Sequence, residues 1–364
     1  MMMMTMMNNC MMMTRGFYHV PTKYNRMVVG RLSWLDIRTI TSTSRSVSSS
    51  NNNNNNEYGW DELTSIKSNT VKQFRGWIQK RKKRIQDNTT VVEGTKLIHD
   101  LLSDEQTQSL IQHVLLSNKY KEDDDDGMTN IQKLLQLQSL QQNLQIHWAN
   151  EQVMEACSDT VTPQGIVASV QIPPPYSIMS SSQKKKKKKC FVILDGVSDP
   201  GNMGTILRSS VAVGVEAIVL LPNCCDVWNP KAIRSAMGAS FKVPILSLSS
   251  WEECYTTLSS FSTTIVMYAA TMETSIPGQS SPAHYDVPWN THESCAIIIG
   301  NEGQGLSTPI RDDVSCGKIQ SVHVPMIPNS IESLNAAVCT SVILFEYHRQ
   351  LTSTTQPNTP LQSQ

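Results

Sequence analysis

The chain has 364 residues, a formal net charge of +0 and 39% apolar side chains, which suits one or two domains and removes overall charge as a sign of nucleic-acid binding. Its nine cysteines include no C-x-x-C pair, which excludes the usual zinc spacing and argues against a disulfide framework at this length. The adjacent Cys224 and Cys225 read as ordinary reduced thiols, and the absence of any run of about 18 apolar residues predicts no membrane span.

Residues 1–56 are rich in Met, Ser, Thr and Asn. They carry Arg15, Lys23, Arg26, Arg31, Arg38 and Arg45 against the acid Asp36. That composition fits an organelle transit peptide, mitochondrial or plastid. The alternative is a disordered low-complexity tail, which the Asn51–Asn56 run suggests. It would leave the protein in the cytoplasm or nucleus. Residues 1–60 are therefore set apart from the folded chain.

The spacing of Val71, Phe74 and Ile78 predicts a helix over Asn69–Lys83. This stretch holds Lys72, Arg75, Lys80, Arg81, Lys82 and Lys83, continues to Arg84, and contains no acid. Such a face suits the phosphate backbone of RNA; the alternative is a solvated charged surface. TVVE (90–93) predicts a strand, TKLIHDLL (95–102) an amphipathic helix and VLLS (114–117) a strand, which together make a small α/β unit. Residues 121–150 are acidic and Gln-rich and read as an insertion. A helix over 152–157 and a strand over 165–171 complete a domain spanning 69–172. Residues 173–189, with PPP and the Lys184–Lys189 run, read as a linker.

From Cys190 the texture changes. Apolar runs at 191–194, 217–221, 243–246, 264–268, 296–299 and 322–324 alternate with helical stretches. They predict an α/β fold with a mostly parallel sheet and helices on both faces. A last helix over 334–350 aligns Leu334, Val338, Val342 and Phe345, and a polar tail follows to 364.

Three segments of this part carry candidate chemistry. DPGNMGTILRSS (199–210) looks like a phosphate loop but lacks both the Walker lysine and the G-x-G-x-x-G spacing. What remains is a strand, a turn containing Asn202, and a helix from about Gly204 that carries Arg208 one turn in. There Arg208 can meet an anion or form an ordinary surface pair. IIIGNEGQGLS (297–307) runs a strand into three glycines around Glu302. VHVPMIPNSIESLNAA (322–337) ends a strand at a proline and opens a helix, with Ser330 or Ser333 as cap and Asn335 in the first turn.

Taken in order, these segments resemble the SpoU/TrmH family of RNA 2′-O-ribose methyltransferases. The resemblance covers about 190–350. SNTVKQFRGWIQKRKKR, VVEGTKLIHDLL and TPQGIVASV resemble the family's N-terminal substrate-binding domain, a small ribosomal-protein-like α/β unit. The resemblance implies the SPOUT fold, a sheet with a deep trefoil knot in its C-terminal part, and a homodimer with the knot at the interface. It implies an S-adenosylmethionine pocket at Gly300, Val324 and Leu334, with Met326 lining it, and no metal. It implies that Arg208 contacts the phosphate beside the target ribose, and that Asn202, Glu302, Ser333 and Asn335 orient arginine, ribose and cofactor. The implied substrate is ribosomal RNA, with transfer RNA the nearest alternative. A non-catalytic RNA-binding or ribosome-assembly factor with the same fold is a second class, against which intact Arg208, Glu302 and Asn335 speak. A nucleotide-binding oxidoreductase lacks its glycine fingerprint here.

Overall fold

The computed structural model describes residues 59–121, 125–141, 143–174, 188–261, 264–274, 280–328 and 331–353. The transit-peptide reading, most of the lysine run, Ser330 and the tail beyond Ser353 lie outside these residues.

The first sheet is built from β1 (Glu62–Leu63), α1 (Asn69–Gln79), α2 (Arg81–Asp87), β2 (Thr89–Glu93), α3 (Thr95–Ser103), α4 (Glu105–Gln108), β3 (Ile111–Ser117), α5 (Asp125–Leu140), β4 (Gln145–Ala149), α6 (Glu151–Ala156) and β5 (Ile166–Gln171). Its strand order is β1-β4-β3-β5-β2. Strands β4 and β3 run parallel, and β5 is antiparallel to both β3 and β2.

Two expectations fail here. The basic helix is two helices. Ser68 caps α1, Val71, Phe74 and Trp77 are buried, and the backbone then turns extended at Lys80 (φ −122°, ψ 109°) before α2. The stretch read as an insertion, 121–150, is built into the fold rather than set outside it. It supplies β4, which lies between β1 and β3, and α5, whose Ile131, Leu134 and Leu137 are buried at helical spacing. The core of this domain also reaches back into the stretch set apart as 1–60: Trp60 is 4% exposed and donates its indole N–H to Gln138 Oε1 at 2.9 Å.

The second sheet follows from β6 (Lys189–Leu194), α7 (Pro200–Val213), β7 (Ala217–Leu220), α8 (Pro230–Ala236), β8 (Ile245–Ser247), α9 (Trp251–Phe261), β9 (Ile265–Ala270), β10 (Ser294–Ile299), α10 (Thr308–Ser315), β11 (Gln320–Val322) and α11 (Ala336–Ser353). The order is β11-β9-β10-β6-β7-β8, and every pairing is parallel. Strand β10 is buried along its whole length, as a parallel strand covered on both faces must be. Val192, Leu194 and Ile297 pack toward α7 and α11; Phe191, Ile193 and Ile298 pack in the core that includes residues of α9 and α10.

Lys189 opens β6 and so leaves the expected linker. Helix α7 begins at Pro200 rather than Gly204, because Asp199 caps it and Pro200 takes its first position. Asn202 is therefore helical. On α11 the expected stripe is the outer one. Val338 and Phe345 are exposed, while Ala336, Ala337, Thr340, Ile343, Leu344 and Tyr347 face the core.

Candidate active site

A parallel sheet puts the carboxyl ends of all its strands at one edge. The loops leaving β6, β10 and β11 there are tied together by side chains. Asp195, just beyond β6, is buried and accepts the backbone N–H of Ser307 at 2.6 Å. Gly196 follows at φ +76°, and its carbonyl accepts the side-chain amide of Asn301 at 2.7 Å. Asn301 Oδ1 in turn accepts the N–H groups of Gly303 and Gln304, both at 2.9 Å. Asn301 and Gly305 also exchange both backbone hydrogen bonds, at 2.9 and 3.0 Å.

This closed loop explains Gly300. A Cβ there would lie 2.6 Å from the Gly305 carbonyl carbon and 2.8 Å from the Leu306 nitrogen. The glycine lets the chain fold back on itself, and the loop's outer face is left for a ligand.

A chain of polar groups crosses the three loops. Asn202 Nδ2 donates to Glu302 Oε1 at 2.8 Å, and Asn335 Nδ2 donates to Asn202 Oδ1 at 2.9 Å. Asn335 Oδ1 accepts from the N–H groups of Ala337 and Val338, at 2.9 and 3.2 Å. Asn335, not Ser333, therefore caps α11 and sits ahead of its first turn.

Beside this chain lies a cavity of about 440 Å³, lined by Gly300, Glu302, Val324, Met326, Ser333 and Leu334 among others. All four positions expected to hold a cofactor thus face one cavity. Its wall also carries Arg311 of α10 and the acids Glu273 and Glu332, which the sequence had not singled out. Asp195 and Asn301 were missed too. An acid placed directly after a buried strand, and an amide between glycines, were the available signals.

Arg208 stands apart. It is exposed on α7, does not line the cavity, and makes no ion pair with another described residue. Helix α7 meets α11 through a Ser209–Ser341 hydroxyl contact of 2.7 Å. Among the basic residues of the first domain, Lys72, Arg75, Lys80, Arg81 and Lys82 are exposed. Lys83 is half-buried and pairs with Asp87 at 2.9 Å. Arg84 must be removed from any RNA-facing set, because it is 3% exposed and its guanidinium is bound to Asp226.

Residues 189–345 match the SpoU rRNA Methylase family, and residues 68–168 match the MRM3-like substrate binding domain. An uncharacterized tRNA/rRNA methyltransferase of Synechocystis is 28% identical over 81% of this chain and 96% of its own length. The mitochondrial rRNA methyltransferase 3A of Danio rerio is 30% identical over 74% of this chain and 65% of its own length, so this chain spans less than two thirds of that relative. The 23S rRNA (guanosine(2553)-2′-O)-methyltransferase RlmP of Bacillus subtilis is 25% identical over 78% of this chain and 98% of its own length. The fold is that of the SpoU methyltransferase AviRb from Streptomyces viridochromogenes, solved with its cofactor AdoMet, with a TM-score of 0.64, 21% identity, and coverage of 79% of this chain and 99% of that one.

Proposed function

We propose that this chain, which belongs to the SpoU rRNA methylase family and carries an MRM3-like substrate-binding domain ahead of its catalytic part, methylates a ribose 2′-hydroxyl of RNA, ribosomal RNA first, with S-adenosylmethionine as donor. The observation that carries this reading is the meeting of the Glu302–Asn202–Asn335 chain with the cavity at Gly300, Val324 and Leu334. Relatives named as 2′-O- and rRNA methyltransferases support the substrate.

The cavity suits the donor. Its volume is about 440 Å³, which falls within the range of small-molecule pockets. Backbone at the strand ends can meet an adenine edge. Arg311 and the acids Glu273 and Glu332 give the wall both signs of charge, as a zwitterionic amino-acid end requires. When bound, S-adenosylmethionine would supply an electrophilic methyl on a sulfonium: the S–CH3 bond breaks as the O–CH3 bond forms, a neutral thioether is left, and the hydroxyl proton passes to solvent.

The chain's own residues then have separate tasks. A guanidinium stays protonated at neutral pH, so Arg208 acts by charge and orientation rather than as a base. It binds the phosphate next to the target ribose and fixes the 2′-oxygen. Glu302, Asn202 and Asn335 hold the loops in register, with Ser333 at the cavity wall. Lys72, Arg75, Lys80, Arg81 and Lys82 hold RNA backbone through phosphate contacts.

The chain acts as a homodimer through the knotted part. The exposed Val338 and Phe345 of α11, at 48% and 52%, support this. It works in an organelle, as the composition of residues 1–56 and the mitochondrial relatives suggest. The test is Arg208→Ala. Methyl transfer to RNA should fall at least 100-fold while calorimetric S-adenosylmethionine affinity stays within a few-fold. Undiminished transfer would remove Arg208 from the reaction.

A further inference from the structure

Arg84 lies in the most basic stretch of the chain, yet its donors all point into protein. Nε and Nη2 both donate to Asp226 Oδ2, Nε at 3.0 Å. Nη1 donates to the carbonyl of Ile78 at 3.0 Å and to that of Trp77. Those carbonyls belong to the last turn of α1, where the helix offers no partner. Only a forked, planar cation can reach a carboxylate and two carbonyls together.

The partner Asp226 belongs to the other sheet's domain, in the loop between β7 and α8. Its Oδ1 accepts the N–H of Trp228 at 3.1 Å. The neighbouring Cys225 donates its N–H to the Val197 carbonyl at 2.9 Å. Val197 follows Gly196, whose carbonyl holds Asn301. The loop that Arg84 grips thus rests on the turn that organises the site.

Helix α8 repeats the pattern. Ile233 is fully buried in the first domain's apolar core, the cluster that includes Ile98 and Leu101. Arg234 pairs with Asp159 of the first domain at 3.0 Å. Thr90 of β2 donates its hydroxyl to the Trp228 carbonyl, just before α8, at 2.7 Å. Ser235, directly after Arg234, turns the other way and donates to the Gly201 carbonyl at 3.1 Å, in the first turn of α7. Asn202 follows Gly201 directly.

We propose that Arg84 and Asp226 are the joint of an inter-domain clamp. The substrate-binding domain grips α8 and its preceding loop, and these hold the start of α7. RNA bound on the first domain is thereby kept at a fixed distance from Asn202 and Arg208. Arg84 is a positioning residue, not an RNA ligand. The consequence for catalysis rests on the methyltransferase reading; the mechanical coupling does not.

The test uses the full chain with Asp226→Asn, which keeps the shape and removes the charge, and Arg84→Lys, which keeps the charge and removes the fork. Three quantities are measured: S-adenosylmethionine and RNA affinities, kcat at saturating RNA, and amide hydrogen exchange. Both affinities should stay within threefold while kcat falls tenfold or more. Exchange should quicken on both sides of the joint, over 69–93 and over 221–236. Unchanged kcat, or quickened exchange on one side alone, overturns the clamp. A tenfold loss of RNA affinity with a shallower salt dependence also overturns it and returns Arg84 to the RNA surface. Should either variant fail to fold, Thr90→Val removes only the hydroxyl to Trp228 and should still lower kcat at least twofold with exchange raised across the interface; no change in either then counts against the proposal. A wild-type chain that methylates no RNA would defeat the methyltransferase reading, and the exchange result would still decide the clamp.

Discussion

Asn202 gives its side-chain N–H to Glu302 at 2.8 Å and takes one from Asn335 at 2.9 Å, across sequence separations of 100 and 133 residues. An ionised carboxylate can only accept, so Glu302 fixes which way the Asn202 amide faces. Asn202 Oδ1 must then face Asn335, whose own oxygen is left to cap α11. One carboxylate therefore sets the polarity of the whole chain.

Glu302→Gln removes that polarity, since its amide can donate to Asn202 and let the row reverse. A reversed row would present the wrong groups to the substrate and should lower kcat by roughly tenfold or more. Glu302 is exposed, so the melting temperature should barely move. Single-turnover methylation with labelled donor, run beside a thermal melt, checks both.

Gly300→Val places a branched side chain against the Gly305 backbone, where even Cβ would lie at 2.6 Å. The loop must open. Stability should fall by about 1–3 kcal/mol, as for overpacking elsewhere, and donor affinity by tenfold or more. Denaturant unfolding and calorimetry read the two effects separately.

Gly204 of α7 packs directly against α8. A Cβ there would meet Ser235 Cβ at 2.5 Å and the Ala236 nitrogen at 2.6 Å. Gly204→Ala should therefore destabilise by about 1–3 kcal/mol. Adding Ser235→Gly should recover only part of the loss, because the Ala236 backbone remains. Urea titrations of the single and double variants give the comparison.

His113 and His147 carry a pH dependence. Burial lowers the pKa of both; the neighbouring His147 lowers His113 further, while Asp61 opposes the shift on His147. Below the ordinary histidine value of about 6.5, the unfolded chain then binds more protons than the folded one. Stability should fall as pH drops from about 6.5 toward the lowered folded values, and be fully present above it. His113→Gln with His147→Gln should flatten that part of a melting-temperature profile taken against pH.

Parts of this architecture are legible in the sequence because burial is written plainly there. Phe191–Leu194 and Ala296–Ile299 are unbroken apolar runs, and both are central strands. The loops that leave these two strands follow such runs, so their glycines and amides stand out. Residues 121–150 were illegible because Gln and Asp mask the sparse row Ile131, Leu134 and Leu137. On α11 two apolar stripes compete, and only the packed structure decides that Ile343 and Leu344 face inward. Arg84 looks like its basic neighbours until Asp226, 142 residues away, is brought beside it. The Asp199–Pro200 start of α7 was written in ordinary capping chemistry, but the loop-like Pro-Gly pair hid it.

The central claim is methylation of a ribose in RNA by the site at Arg208, Asn202 and Glu302. Mapping 2′-O-methyl groups across total RNA, with the protein present and with it removed, tests that claim most directly. One or a few riboses of ribosomal RNA should lose their methyl group on removal, and regain it from the wild-type chain but not from Arg208→Ala. A ribosomal RNA map that is identical in both samples would contradict it, and losses confined to transfer RNA would move the substrate there.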